Sequence, residues 1–389
     1  MIKRRVQKLI KERLGAYPAV ALVGPRQCGK TTLAQAMRGV YFDLEQESDR
    51  LRLDLEWDDL VAGKNLLILD EAQSWPEVFV RLRGAIDRDR GRKGRFLLLG
   101  SVSPSLMTRV SESLAGRLSL VELTPFLLSE LKTKASRLRH WLCGGYPEGG
   151  VLEPKRYPRW QIDYLALLAQ RDLPMWGLPA KPQVTDRLLR MLAALHGRVW
   201  NAAQVGQSLG LSYHTVNNYL DYLMGAFLIR QLPAYQANIR KRLVKRPKLY
   251  WRDSGLVHAL LNVPAERALL AQPWVGASWE GYVIEQALGE LSSLGRNFSA
   301  YYFRTADQHE LDLILDFGKE LWAVEVKLTS SPSTKDVARM NKTADIIQAS
   351  HRFLVSQTRK AAGSGRCFSC DLPTFLDHLT GGCPGGQVL

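Results

Sequence analysis

The chain has 389 residues, 46% of them hydrophobic and 23% charged, values typical of a globular protein of two or three domains. No stretch approaches the ~18 apolar residues of a membrane span, and no apolar segment follows the basic residues 1–5, so neither a span nor a secretory signal is expected. The net charge of +15 favours a polyanionic partner, nucleic acid before an anionic membrane surface. We expect a cytoplasmic protein.

The first part of the chain alternates predicted strands with helical stretches. A helix is predicted over 1–16, and apolar runs predict buried strands at 19–23, 40–43, 66–69 and 96–99. Such alternation predicts an α/β fold with a parallel sheet and crossover helices.

A glycine-rich segment follows the first predicted strand and fits the pattern G-x-x-x-x-G-K-[ST]. Its glycines let backbone N–H groups surround phosphates, Lys30 reaches the outer phosphates, and the Thr31 hydroxyl holds Mg²⁺. The sequence therefore predicts ATP and Mg²⁺ as cofactors. The predicted nucleotide contacts are Gly24, Pro25, Arg26, Gln27, Cys28, Gly29, Lys30, Thr31 and Thr32.

Three further positions complete a predicted ATP-hydrolysing site. A second buried strand ends in Asp70, a Mg²⁺ ligand through water, and Glu71, which is placed to polarise the attacking water. Ser101 ends another strand, where it can sense the γ-phosphate; the alternative is an ordinary strand-end serine. Arg117 can act on the nucleotide of a neighbouring subunit, the alternative being a surface arginine.

Residues 184–230 show helix-turn-helix spacing, and the basic segment 230–248 predicts a β-hairpin wing. We expect this winged helix to contact DNA; the alternative is a winged helix used for protein contacts. The predicted nucleic-acid contacts are Arg240, Lys241, Arg242, Lys245, Arg246 and Lys248.

A second group of charged side chains lies further along the chain. Glu285 falls on a predicted helix, Asp312 on a strand, and Glu325 and Lys327 on one face of the next strand. If they converge, they can hold one or two Mg²⁺ ions for phosphodiester attack. The alternative is a cross-strand charge cluster on a solvated sheet.

At this point the chain resembles prokaryotic AAA+ ATP-binding proteins, in the branch that appends a winged helix and a PD-(D/E)XK restriction-endonuclease-like domain. The matching motifs are Gly-Pro-Arg-Gln-Cys-Gly-Lys-Thr-Thr at 24–32, Leu-Asp-Glu-Ala-Gln at 69–73, Gly-Ser at 100–101, Leu-Ala-Gly-Arg at 114–117 and Glu-Val-Lys at 325–327. The resemblance implies that Ser101 is the first sensor and Arg117 the arginine finger. One departure is Leu311, where the PD-(D/E)XK pattern has proline before the aspartate.

The resulting domain prediction has four parts. They are an AAA+ nucleotide-binding core over 1–130, a helical lid or connector over 131–183, a winged helix-turn-helix over 184–255, and a PD-(D/E)XK-like domain with a Gly-rich tail over 256–389.

Three functions remain open on these observations. The first is a DNA-binding, oligomeric ATPase in DNA processing, repair or defence, assembled as a ring or in an ATP-dependent manner. The second is an ATP-dependent signalling switch whose C-terminal region is a protein-binding platform. The third is an ATP-gated, Mg²⁺-dependent nuclease.

Overall fold

The computed structural model describes residues 2–100, 114–236 and 243–381. Contacts divide the chain into two compact units. Unit 1 comprises Met1–Phe126 with Asp221–Phe227, and unit 2 comprises Leu127–Leu220 with Leu228–Leu389. The finer division predicted at 130, 183 and 255 stays a prediction.

Unit 1 is built on a five-stranded sheet. Its strands are β1 (Ala19–Val23), β2 (Val40–Asp43), β3 (Leu67–Asp70), β4 (Phe96–Gly100) and β5 (Leu118–Glu122). Its described helices are α1 (Val6–Ala16), α2 (Lys30–Gln35), α3 (Glu47–Leu55), α4 (Trp57–Ala62) and α5 (Glu77–Arg88). The four strands predicted from apolar runs are present, with ends shifted by no more than one residue.

All neighbouring strands of this sheet run parallel, in the order β2-β3-β4-β1-β5. Both β1 and β4 are buried along their whole length, which explains their continuous apolar sequences. Because parallel strands end at the same edge, the loop after Val23 and the carboxylate of Asp70 meet at one end of the sheet. The predicted α/β fold with a parallel P-loop core is confirmed.

The other described α-helices lie in unit 2. They are α6 (Lys134–Cys143), α7 (Arg159–Leu167), α8 (Leu173–Met175), α9 (Pro182–Ala194), α10 (Ala202–Leu209), α11 (Tyr213–Gly225, whose last turns belong to unit 1), α12 (Ser254–Leu260), α13 (Glu266–Leu270), α14 (Val275–Ser293), α15 (Thr334–Ile346) and α16 (Leu372–Thr380).

Local sequence accounts for the turn between α10 and α11. The Asn201 side chain accepts a hydrogen bond from the Gln204 N–H and caps α10, and Gly210 ends α10 in the left-handed conformation. The Ser212 hydroxyl then accepts from the Thr215 N–H at 3.1 Å. A three-stranded antiparallel sheet follows, with β6 (Arg198–Val199), β7 (Ile229–Leu232) and β8 (Lys248–Trp251) in the order β6-β8-β7.

A separate six-stranded sheet forms the C-terminal part of unit 2, where the sequence predicts α/β structure. Its strands are β9 (Ser299–Arg304), β10 (Glu310–Asp316), β11 (Leu321–Val326), β12 (His351–Ser356), β13 (Ala362–Ser364) and β14 (Cys367–Asp371), in the order β13-β14-β12-β11-β10-β9. Strands β9, β10 and β11 are antiparallel, whereas β11, β12 and β14 run parallel. Helix α14 is buried on nearly all sides, packing Val283, Ile284 and Ala287 into the core.

Among the described residues, no helix has both the length and the apolar character needed to cross a bilayer.

Candidate nucleotide site and C-terminal charge cluster

The phosphate-binding loop is closed on itself by Lys30. The buried Lys30 ammonium donates hydrogen bonds to the carbonyl oxygens of Gly24 and Pro25, at 3.0 and 2.9 Å. Gly29 has a left-handed conformation with φ of 97°, which suits glycine and turns the chain into α2. These two bonds leave one N–H of the ammonium for a phosphate oxygen, and Lys30 would give up the carbonyls to donate more.

The two predicted Mg²⁺ ligands are in direct contact. The Thr31 hydroxyl donates to Asp70 Oδ2 at 2.6 Å, and the backbone N–H of Glu71 donates to Asp70 Oδ1 at 2.9 Å. Tyr41 on β2 also donates to Asp70 Oδ2, at 2.8 Å. A hydroxyl and a carboxylate in contact suit a hard cation that also takes phosphate oxygens, so Thr31 and Asp70 would hold Mg²⁺ beside ATP.

Glu71 is held by the backbone and by one neighbour. Its φ of 46° is left-handed, which is uncommon for glutamate, and Gln73 Nε2 donates a hydrogen bond to its carboxylate. Burial raises the pKa of Glu71, while the Gln73 hydrogen bond and the charge of Lys30 oppose this shift. A carboxylate with a raised pKa beside the phosphates is suited to accept a proton from water.

Sequence reasoning missed Arg4, which contacts the phosphate-binding loop. The buried Arg4 guanidinium donates to the Cys28 carbonyl in the loop at 3.0 Å and to the Thr124 carbonyl at 2.6 Å, and it lies 4.7 Å from the centre of the Phe126 ring. Arg4 thus ties α1 and the phosphate-binding loop to the segment after β5. No local motif signals it, because its partners are backbone carbonyls distant in sequence.

Arg117 lies at the far end of the sheet from the phosphate-binding loop. Val23 pairs with Glu122 in parallel register, and Arg117 immediately precedes β5, so the length of β1 separates the two, about 16 Å. Its guanidinium pairs with both oxygens of Asp87 at 2.9 Å. Arg117 therefore lies far from its own nucleotide site. The predicted sensor, Ser101, lies outside the described residues.

In the C-terminal sheet, Asp312, Glu325 and Lys327 come together. The Lys327 ammonium is 2.6 Å from Glu325 Oε1, and the Val326 N–H donates to Asp312 Oδ2 at 2.8 Å. Burial and the charge of Glu280 raise the pKa of Asp312. Burial and the charge of Asp312 raise the pKa of Glu325 to about 7.

The fourth predicted member, Glu285, is paired elsewhere. Arg230 donates to both of its oxygens, at 2.5 and 3.1 Å, and Arg252 donates to Oε2 at 3.3 Å. The helical carboxylate beside Asp312 is Glu280, which sequence spacing did not single out. Within the described residues, no three His, Cys, Asp or Glu side chains are arranged to hold a metal ion.

The predicted DNA contacts fall into three groups. Lys245 and Arg246 are exposed, as a phosphate contact requires. Lys248 is 4% exposed and ion-paired with carboxylates, which excludes it from the predicted phosphate contacts because a buried, paired ammonium cannot reach a duplex. Residues 240–242, which hold the other three predicted contacts, lie outside the described part of the chain.

The raised pKa of Glu325 predicts a pH-dependent stability. The ordinary pKa of 4.5 applies in the unfolded chain and about 7 in the folded one. This contribution to stability is therefore complete below about pH 4.5 and is lost as the pH rises through 7. We expect Glu325→Gln to raise the free energy of unfolding of unit 2 at pH 8 by on the order of 2 kcal/mol, with little effect at pH 4.5.

Urea unfolding followed by tryptophan fluorescence at pH 4.5 and 8 measures this difference, with the exposed Glu266→Gln as the matched control. Equal shifts at both pH values in Glu325→Gln would contradict it.

Three family descriptions match consecutive parts of the chain. An AAA domain matches residues 16–132, the domain of unknown function DUF8612 matches 134–267, and the domain of unknown function DUF4143 matches 275–375. The first match contains the phosphate-binding loop, Asp70, Glu71 and Arg117. The third contains Glu280, Glu285, Asp312, Glu325 and Lys327.

Similar proteins come from Mycobacterium species, and similar solved structures from Pyrococcus abyssi and Aquifex aeolicus. Two uncharacterized proteins, of Mycobacterium tuberculosis and Mycobacterium bovis, are each 36% identical over 371 residues, covering 92% of this chain and 83% of the relative. A Walker-type ATPase of Pyrococcus abyssi is 14% identical with a TM-score of 0.47, covering 67% of this chain and 96% of that one. AMPPCP-bound DnaA from Aquifex aeolicus is 11% identical with a TM-score of 0.26, covering 56% of this chain and 85% of that one.

The predicted AAA+ membership is thus confirmed by the AAA domain match. The chain belongs to the same family as the two mycobacterial proteins, and it is an AAA+ P-loop ATPase family protein that carries a DUF4143 domain.

Proposed function

We propose that the protein is a DNA-binding ATPase that hydrolyses ATP at sites shared between copies of the chain. Lys30, Thr31, Asp70 and Glu71 bind MgATP and activate water in one copy, and Arg117 of another copy stabilises charge on the transferred phosphoryl group. The observation that carries this proposal is the position of Arg117 at the amino end of β5, opposite the phosphate-binding loop of its own chain.

Three features support the DNA part of the proposal. The net charge is +15, Lys245 and Arg246 are exposed beside β8, and the exposed His214 and Asn218 of α11 are side chains that can contact DNA. The helix-turn-helix arrangement of α10 and α11 with paired strands β7 and β8 resembles a winged helix, in which a helix enters the major groove and the hairpin contacts the backbone.

A mixing experiment tests the shared site. Arg117→Ala is expected to keep nucleotide binding and to hydrolyse ATP about 10³-fold more slowly, while Lys30→Ala loses binding. Neither variant is active alone, but an equimolar mixture regains turnover because each supplies what the other lacks. The exposed Arg83→Ala is the control with full activity. Unchanged turnover in Arg117→Ala, or no recovery in the mixture, would remove Arg117 from this role.

ATP hydrolysis with duplex, single-stranded and branched DNA, at low and moderate salt, tests the partner. We expect stimulation by one DNA form and an affinity that falls steeply with salt, since phosphate contacts release counterions. Replacing Lys245 and Arg246 with glutamate should weaken binding about tenfold, whereas the same change at the exposed Arg359 and Lys360 should not. No DNA binding at low salt would favour the alternative of an ATP-dependent switch with a protein partner.

A further inference from the structure

The ammonium of Lys248 is buried among three carboxylates of unit 2, one of which, Asp312, also belongs to the C-terminal charge cluster. Lys248 Nζ is 2.9 Å from Glu280 Oε1, 2.8 Å from Glu310 Oε1 and 3.8 Å from Asp312 Oδ1. The Tyr250 hydroxyl donates to the same oxygen of Glu280. Lys248 is 4% exposed, so its ammonium is withdrawn from solvent, while the side chain of Glu310 keeps 26% of its surface exposed.

The members of this cluster come from three elements. Lys248 and Tyr250 lie on β8, Glu280 lies on α14, and Glu310 and Asp312 lie on β10. Carboxylates from a helix and a strand that converge on one point are the usual protein ligands of a divalent cation. Here that point is filled by a lysine from the three-stranded sheet.

We propose that Lys248 takes the place of a divalent cation in this cluster, so that an ammonium from the three-stranded sheet holds the carboxylates of α14 and β10 together and the C-terminal domain is not a metal-dependent nuclease. Mg²⁺ needs oxygen ligands at about 2.0–2.1 Å in octahedral geometry, which leaves no room for an ammonium bonded to the same oxygens. The predicted metal set does not fit for a second reason, since the charge of Glu285 is balanced by Arg230 and Arg252.

The electrostatics of Lys248 agree with this role. Burial alone would lower the pKa of Lys248, but the surrounding charges, that of Glu280 foremost, raise it well above its ordinary value. The surrounding carboxylates therefore favour the charged ammonium despite its burial. Expelling it would leave Glu280 and Glu310 without this cation, which destabilises the fold because carboxylates largely withdrawn from solvent need a balancing charge.

One atom could be taken as evidence for a metal. Oε2 of Glu325 is buried and has no hydrogen-bond partner within the described residues. The other oxygen of the same carboxylate, Oε1, lies 2.6 Å from the Lys327 ammonium. A lysine therefore balances the charge of Glu325 without a second cation.

Terbium luminescence tests the proposal, since Tb³⁺ binds carboxylate sites and is excited through nearby tyrosine. The Tyr302 ring centre is 5.5 Å from Lys248 Nζ, which places an antenna at the cluster. The full-length parent carries Asp70→Asn, which removes the carboxylate of the nucleotide site. We expect no saturable Tb³⁺ signal from the parent. After Lys248→Met we expect one saturable site, which binds Tb³⁺ at least about tenfold more tightly than the non-saturating background of the parent. Glu280→Gln should abolish that new site.

Two results would overturn the proposal. One is a saturable parent signal that disappears in Glu280→Gln or Asp312→Asn, and the other is a folded Lys248→Met variant that gains no site. If Lys248→Met does not fold, the Tb³⁺ titrations of the parent and of its Glu280→Gln derivative are compared. Equal luminescence curves support the proposal, and a weaker signal in Glu280→Gln contradicts it. Mn²⁺-dependent DNA cleavage that is lost in Glu325→Ala would also overturn it.

Discussion

The Glu71→Gln variant is expected to bind ATP as the wild type does but to hydrolyse it about 10²–10³-fold more slowly. In the wild type, Gln73 donates a hydrogen bond to the Glu71 carboxylate. The amide of Glu71→Gln keeps the size of the side chain and its contact with Gln73. It cannot accept a proton from the attacking water. We expect binding to survive because the proposed contacts of Lys30 and Thr31 with the phosphates and Mg²⁺ do not involve Glu71.

Two measurements are needed, steady-state release of phosphate and titration with a fluorescent ATP analogue. The exposed Glu77→Gln, in the first turn of α5, is the matched control and should keep full turnover. Lys30→Ala is expected to differ from Glu71→Gln because it loses ATP binding as well as hydrolysis. Turnover within a few-fold of the wild type in Glu71→Gln would assign activation of water to another group.

The second large effect is expected for Gly24→Ala. A Cβ atom at Gly24 would lie 2.1 Å from the backbone carbonyl oxygen of Leu123, so the phosphate-binding loop or the segment after β5 must move. That movement also disturbs the carbonyl to which Lys30 donates. We expect ATP affinity to fall by at least about tenfold and unit 1 to lose roughly 2 kcal/mol of stability.

Gly84→Ala is the matched control, since a Cβ atom at Gly84 in α5 meets nothing within 4 Å. It should stabilise the helix by about 0.5–1 kcal/mol and leave ATP binding unchanged. Nucleotide titration and thermal unfolding of both variants check these values. If Gly24→Ala bound ATP as tightly as the wild type, the close approach of the loop to Leu123 would not matter for the site.

The nucleotide site could be predicted from the sequence because its chemistry is local. The spacing of Gly24, Gly29 and Lys30 specifies a loop within one short segment, and a buried apolar strand that ends in Asp70 and Glu71 carries its own signal. Parallel strands then bring these two segments to one edge of the sheet without further information. Tyr41 and Arg4 were missed because their partners lie far away in sequence.

The C-terminal cluster shows what only the tertiary structure decided. A period of two along β11 placed Glu325 and Lys327 on one face, and the structure brings Asp312 to them. Helix α14 is buried on nearly every side, so its sequence has no polar stripe to tell which carboxylate faces the sheet. Packing directs Glu280 to Lys248 and Glu285 to two arginines.

Packing also explains why some cations of the basic segment 230–248 are exposed and one is buried. The sequence by itself determined that positive charge is concentrated between β7 and β8, because charge is a property of composition. Whether a given cation faces solvent depends on which side chains surround it after folding. Lys245 and Arg246 are exposed, whereas Lys248, two residues further, is buried among carboxylates from elements that lie more than 30 residues away along the chain.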